Sequence, residues 1–321
     1  MITILTGRNN YSLRTELRRL TREFIEAVGG PDMAEMATEH LDGEEASFER
    51  IQEALQSLPF LAARKLVVLE QPGANKEFTE KAGVLLAELP ETTDLIIVEP
   101  KLDKRLAYYK LLKKQPGFTE FAELDGNGLT RWLAAEAKAR QTTLHPADAR
   151  LIVDRVGTDQ QYLAHELEKL CLGAAAINRD KPVITKQLIL DLTVLTPQST
   201  IFQLLEAAFA GNPKRALALY AEQRALRVEP QQIIAMLAWQ LHVLAIVKAA
   251  GSDRSPDTIA KEATLSPYVV KKTASIARAQ SMVNIKRLVD DLTTIDERLK
   301  RESLNADDVL QVYLLNVSLS D

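Results

Sequence analysis

Three short runs set the frame of this chain. Ile2–Leu5, Lys65–Glu70 (KLVVLE) and Asp94–Glu99 (DLIIVE) are apolar almost without interruption. A strand with one wet face alternates apolar and polar residues, whereas a strand covered on both faces does not. Between and after these runs lie stretches with apolar residues at helical spacing: Tyr11–Val28, Ser47–Leu58, Glu77–Leu89 and Lys104–Gln115. A further strand is expected within Met33–Leu41 and a last one over Phe118–Ala122. Buried strands separated by helices of this length predict a doubly wound parallel sheet, an α/β layer, over residues 1–125.

After Gly126-Asn127-Gly128 the strand signal stops. Leu129–Arg140, Pro146–Val156, Asp159–Leu172 and Thr185–Thr193 read as short amphipathic helices, and Thr196–Thr200 reads as a linker. From Ile201 onward the pattern is helical throughout, with Asn212-Pro213, Ser252 and Ser266-Pro267 marking starts or turns. A chain of 321 residues exceeds what one core usually holds. The expected division is 1–125, a small helical domain at 126–197, and an all-α domain at 198–321.

Composition excludes more than it assigns. The single cysteine, Cys171, rules out a disulfide framework and fits a reducing compartment. A net charge of −4 argues against whole-molecule attraction to nucleic acid or to an anionic membrane, but it leaves room for local basic faces. Arg8 and Arg14 interrupt the apolar start, so no signal peptide is expected. Ile233–Ala250 approaches spanning length, yet it carries Gln240, His242 and Lys248 and is read as a buried bundle helix rather than a membrane span.

The first strand runs into Gly7 and then into a helix, which is the layout of a phosphate-binding loop. Such a loop needs a second glycine, a lysine and a hydroxyl, and this chain offers Ser12, Leu13 and Arg14 instead. Leucine adds no charge and arginine binds no metal. Glu70 and Glu99 are lone carboxylates at strand ends, without the acidic pair that positions magnesium and water. The four histidines are scattered, with no metal-ligand spacing and no nucleophile motif. The expectation is an NTPase-like fold with no catalytic residues, no metal and no cofactor.

Two other stretches stand out. In SLPFLAARKLVVLE, Pro59 ends a helix and directs Phe60 and Leu61 into a tight connection. These side chains either fold back over the local core or protrude as an anchor pair for a partner. Lys101, Lys104, Arg105 and Lys110, with Lys113 and Lys114, form a basic run that is either a solvated face or a phosphate contact. TIAKEATLSPYVVKK approaches helix-turn-helix spacing, with Lys271 and Lys272 following.

Taken in order, SLPFLAARKLVVLE, KLDKRLAYYKLLKK, VGTDQQYLAHELEKL, STIFQLLEAAFAGNPKRALALY, LAWQLHVLAIVKAA and TIAKEATLSPYVVKK resemble the delta subunit of the bacterial DNA polymerase III clamp loader. The resemblance implies a degenerate AAA+ sheet domain, a small helical lid and a helical collar. It implies that Phe60 and Leu61 are the apolar plug that enters a pocket of the sliding clamp (beta), with Ser57, Leu58, Pro59 and Arg64 supporting it. The order here is Phe-Leu, where the family more often carries Leu-Phe or Phe-Phe. It also implies no intrinsic activity, in a cytoplasmic component of the replicative polymerase holoenzyme. ATP would be hydrolysed by gamma/tau partners, with delta-prime completing a hetero-oligomeric ring. Primer–template DNA would be contacted without sequence preference and a membrane not at all. The stretch TDQQYLAHEL holds no arginine where an ATP-sensing one would stand, and Trp239, Leu241 and Leu244 would pack against neighbouring subunits. The alternatives are a divergent AAA+ ATPase and a helix-turn-helix DNA-binding regulator.

Overall fold

The computed structural model describes residues 1–60, 62–194, 196–251 and 253–319. Leu61, half of the expected apolar pair, and Ser252, expected at a turn, lie outside them. The chain forms two compact units, Met1–Glu123 and Leu124–Asp321.

The first unit is built on five parallel strands: β1 (Ile2–Thr6), β2 (Thr38–Asp42), β3 (Lys65–Glu70), β4 (Thr93–Glu99) and β5 (Gly117–Glu120). Their order is β2-β3-β4-β1-β5. The helices α1 (Asn10–Ala27), α2 (Pro31–Ala37), α3 (Phe48–Gln56), α4 (Lys76–Ala87) and α5 (Ala107–Leu112) connect them. Successive strand residues point to opposite faces, and the two cores follow that parity. Leu5, Leu66, Val68, Ile96 and Val98 pack with Leu13, Leu17 and Phe24 of α1. Ile4, Val67, Leu69, Leu95 and Ile97 pack with residues of α3, α4 and α5, among them Ile51, Phe78 and Leu112. Both faces are therefore covered, as the unbroken apolar runs require. Side-chain caps start α1, α3 and α4: Asn9 accepts from the Ser12 amide, Ser47 from Arg50 and Asn75 from Phe78.

Two sequence boundaries move. The strand expected within Met33–Leu41 begins only at Thr38, because Pro31 starts a short helix that runs to Ala37. The basic helix expected from Lys104 is only Ala107–Leu112, so Lys101, Lys104 and Arg105 sit in the turns before it. Tyr108 and Tyr109 point into the core, with Tyr108 edge-on to Phe78 at 6.0 Å.

The second unit is helical. It opens with α6 (Gly126–Ala139), α7 (Pro146–Val156), α8 (Gln160–Ile177) and α9 (Lys186–Leu192). Two two-residue strands, β6 (Thr143–Leu144) and β7 (Val183–Ile184), pair in parallel there; they are too short to leave a periodic pattern in sequence. There follow α10 (Pro197–Phe209), α11 (Pro213–Ala225), α12 (Pro230–Ala250), α13 (Pro256–Ala263), α14 (Pro267–Ala279), α15 (Met282–Arg301) and α16 (Ala306–Ser318). Helix α10 starts inside the stretch expected to be a linker, since the fixed φ of Pro197 suits a first helical turn.

Helix α12 is long and apolar enough, by length and composition, to cross a membrane. Here Ile233, Leu237, Leu241 and Leu244 lie in the core formed by α10–α16. Leu241 and Leu244, implied to face neighbouring subunits, are thus internal, because α12 runs through the middle of this bundle and meets its own α14 and α15. On α15, Ile285, Leu288 and Leu292 turn into the same core, as their spacing predicts.

A second core gathers α6–α9, and one residue of α14, Tyr268, belongs to it. The Tyr268 hydroxyl donates to Asp154 Oδ1 at 2.6 Å. Lys271 donates to Asp125 at 3.0 Å, and Lys272 lies over the Phe202 ring at 4.4 Å. A DNA-reading helix offers its first residues to the groove. The first turns of α14 are instead spent inside the protein, which removes the support for the helix-turn-helix reading. Replacing Tyr268 by Ala should lower the unfolding free energy of the helical unit by about 3–5 kcal/mol, read from urea denaturation followed by circular dichroism. A loss below about 1 kcal/mol would show that this ring does not join the two cores.

Candidate functional site

The apolar connection runs from Ser57, where α3 ends in extended backbone, to Arg64 before β3. Leu58 is 75% exposed and Phe60 73% exposed. Ala62 turns back and packs on the α1 side of the sheet. Below the loop, Lys65 is only 6% exposed. Its ammonium donates to the Ala54 carbonyl and, at 2.6 Å, to the Ser57 hydroxyl. Burial draws the pKa of this lysine down. Arg64 grips Asp94, the second residue of β4, with Nε on Oδ2 at 2.9 Å and Nη2 on Oδ1 at 2.6 Å. Burial alone would raise the Asp94 pKa, but the hydrogen bonds from Arg64 and from the chain's amino group hold it below its ordinary value. The fork-on-carboxylate geometry fixes direction as well as distance.

The phosphate-loop frame lies at the other edge of the sheet, where the strands end. Gly7 has φ +116°, and a Cβ there would come within 2.1 Å of the Phe121 carbonyl oxygen. That carbonyl accepts from the Asn9 amide at 3.1 Å, while the Phe121 amide donates to Thr6 at 2.7 Å. The Asn9 side chain takes the Ser12 amide at 2.9 Å. Amides that would surround a phosphate are thus engaged within the chain. Leu13, standing where the lysine belongs, is wholly buried in the core below α1. Arg14 spans to Glu70 at the end of β3 with paired bonds of 2.6 and 2.8 Å. The guanidinium therefore neutralises the Glu70 carboxylate.

Glu99, at the end of β4, is 4% exposed. It accepts from the Gly73 amide at 2.5 Å and from the Tyr108 hydroxyl at 3.4 Å. A Cβ on Gly73 would sit 2.7 Å from the carboxylate, so the approach needs glycine. Burial pushes the Glu99 pKa up to about 7, against the opposing pull of those two donors.

Among the basic residues, Lys104 pairs with Glu120 at 2.6 Å and Arg105 with Asp103 at 2.7 Å. Lys101 and Lys110 are exposed. The structure brings Leu58, Phe60 and Arg64 onto one loop and brings Arg14 to Glu70. It does not draw the basic residues onto one helix face. Sequence reasoning passed over Lys65 and Asp94. Their signal was present: each is a charged residue at the head of an otherwise apolar buried run.

Comparison with known proteins gives one consistent family. The profile of "DNA polymerase III, delta subunit" matches residues 4–121, and that of "DNA polymerase III delta subunit, C-terminal domain" matches residues 198–317. The DNA polymerase III subunit delta of Bacillus subtilis is 22% identical, over 98% of this chain and 91% of that protein. The solved structure of the Bacillus subtilis DNA clamp loader delta protein (YqeN) superimposes with a TM-score of 0.82 at 22% identity, over 99% of this chain and 95% of that one. This last likeness establishes the fold.

Glu99 carries a pH signature. Its folded pKa lies above the unfolded value, so its contribution is full below about pH 4.5 and is lost as pH rises through about 7. Urea denaturation of the sheet unit should show stability falling between pH 5 and 8 by at most about 3 kcal/mol, and Glu99→Gln should flatten that slope. Parallel pH profiles for the two proteins would clear Glu99 of the effect.

Proposed function

The chain belongs to the DNA polymerase III delta-subunit family, and from that premise we propose that it is the clamp-loader subunit that binds the sliding clamp and opens the ring for loading onto primed DNA. The observation that carries this reading is the exposure of Phe60 and Leu58 on a loop tied down at both ends. Leu58 and Phe60 stand exposed two residues apart on one short loop, a local apolar spot suited to filling a partner's pocket. Leu61 completes the pair on sequence grounds. If both side chains bury fully in a clamp pocket, they contribute on the order of 3–5 kcal/mol before ordering costs. That is enough to bias a ring interface already under strain. Pro59 and Leu58 shape the element, and Arg64 supports it from Asp94.

The subunit does this without nucleotide chemistry of its own. The Phe121 carbonyl and the Arg14–Glu70 pair support that part of the reading, since both occupy ground a triphosphate and its magnesium need. ATP is bound and cleaved by the gamma/tau subunits, with delta-prime completing the ring. Residues 1–125, 126–197 and 198–321 serve as clamp-binding, lid and collar domains. Lys101, Lys104, Arg105 and Lys110 meet primer–template phosphates without sequence preference, a contact that weakens with salt. The work takes place in the cytoplasm, where the chromosome is replicated.

Titration of purified chain against its cognate clamp tests the assignment. Phe60→Ala with Leu61→Ala should weaken binding about 100-fold or more, with circular dichroism and collar assembly unchanged. Unaltered affinity would dismiss this loop as the anchor.

A further inference from the structure

We infer that Lys65 and Asp94 are positioning residues, which hold the apolar element in its binding pose without touching the clamp; the inference rests on the reading of Phe60 given above. The loop leaves α3 after Gln56 and re-enters the sheet at Lys65. A connection of this length held only through its backbone ends would sample many shapes, and ordering it at the moment of binding would cost affinity. Two clasps remove that freedom beforehand.

The first clasp is internal. Lys65 opens a strand that is otherwise apolar up to Glu70. Burying an ammonium is unfavourable unless its donors are met, so an aliphatic residue would serve packing better at this point. Its ammonium instead donates to the Ala54 carbonyl and the Ser57 hydroxyl, on the last turn and cap of α3. It thus joins the strand where the loop ends to the helix where the loop begins. The second clasp is lateral. Asp94 on the neighbouring strand β4 takes both arms of Arg64, the last residue of the loop. Lys65 is buried and both Asp94 oxygens are engaged, so neither side chain is free to meet a partner. Any effect they have on clamp binding runs through the pose of Phe60.

The test is titration of the full chain against the clamp, using Lys65→Met, Asp94→Asn, Ser57→Ala and Ser57→Thr, with Lys65→Met also placed in a Phe60→Ala background. Lys65→Met should weaken binding about tenfold, and Asp94→Asn and Ser57→Ala severalfold. Ser57→Thr keeps the hydroxyl and should retain wild-type affinity. Ser57 is exposed, so its variants leave packing intact, and the urea midpoint checks the fold of every variant. In the Phe60→Ala background, Lys65→Met should cost less than about twofold more, because positioning a loop that lacks its anchor achieves nothing. Affinity within about twofold of wild type for Lys65→Met or Asp94→Asn, with Phe60→Ala crippled, overturns the role of that residue. Losses from Lys65→Met that add in full to Phe60→Ala also overturn it, since they mark a general loss of structure. A Phe60→Ala chain that binds normally brings down the earlier reading, and this one with it.

Discussion

Strand β3 is the constraint on which the rest depends. It is buried on both faces and paired on both sides, by β2 and β4. Its first residue anchors the exposed apolar loop, and its last residue is the carboxylate held by Arg14. At about 3.3 Å per residue, its two ends stand about 17 Å apart. In a parallel sheet every loop that precedes a strand lies at one edge and every loop that follows one lies at the other. The displayed phenylalanine and the closed nucleotide frame are therefore held at opposite edges of one rigid layer. Neither needs the other to move.

The same economy explains why the phosphate loop closes on itself. A strand-to-helix turn leaves backbone N–H groups without partners, and such groups are costly when they are kept from water. An active nucleotide site satisfies them with phosphate oxygens. Here the Phe121 carbonyl and the Asn9 side chain take that role, and Gly7 supplies the clearance. Arg14 and Glu70 answer each other's charge in the same way. The pair is partly exposed, so its stabilising effect is modest. What it does is neutralise the carboxylate at the end of β3.

Much of this was legible beforehand. The unbroken runs KLVVLE and DLIIVE announced strands covered on both sides, and the strand parity of the two cores bears that out. That Ser12, Leu13 and Arg14 stand where a phosphate loop carries glycine, lysine and a hydroxyl was visible residue by residue. The closing partner, Phe121, was not, because a contact between residues more than a hundred positions apart leaves no local pattern. The basic run from Lys101 to Lys114 looked like one helix because its residues are good helix formers. Asp103 instead takes the Arg105 and Leu106 amides in a turn, and only Ala107–Leu112 is helical. Patterning left open whether the PFLA turn folds inward or out; the exposure of Phe60 answers for that residue. Lys65 and Asp94 were passed over because a charge at the head of a strand is usually read as its solvated end.

The central claim is that the chain engages the clamp through its apolar loop and is indifferent to nucleotide. The most direct measurement is isothermal titration of the purified chain against the cognate clamp, with and without magnesium ATP. The account predicts binding of equal affinity in the two conditions and no heat from ATP added to the chain alone. An affinity that this chain gains or loses on addition of ATP, with no other subunit present, would contradict it.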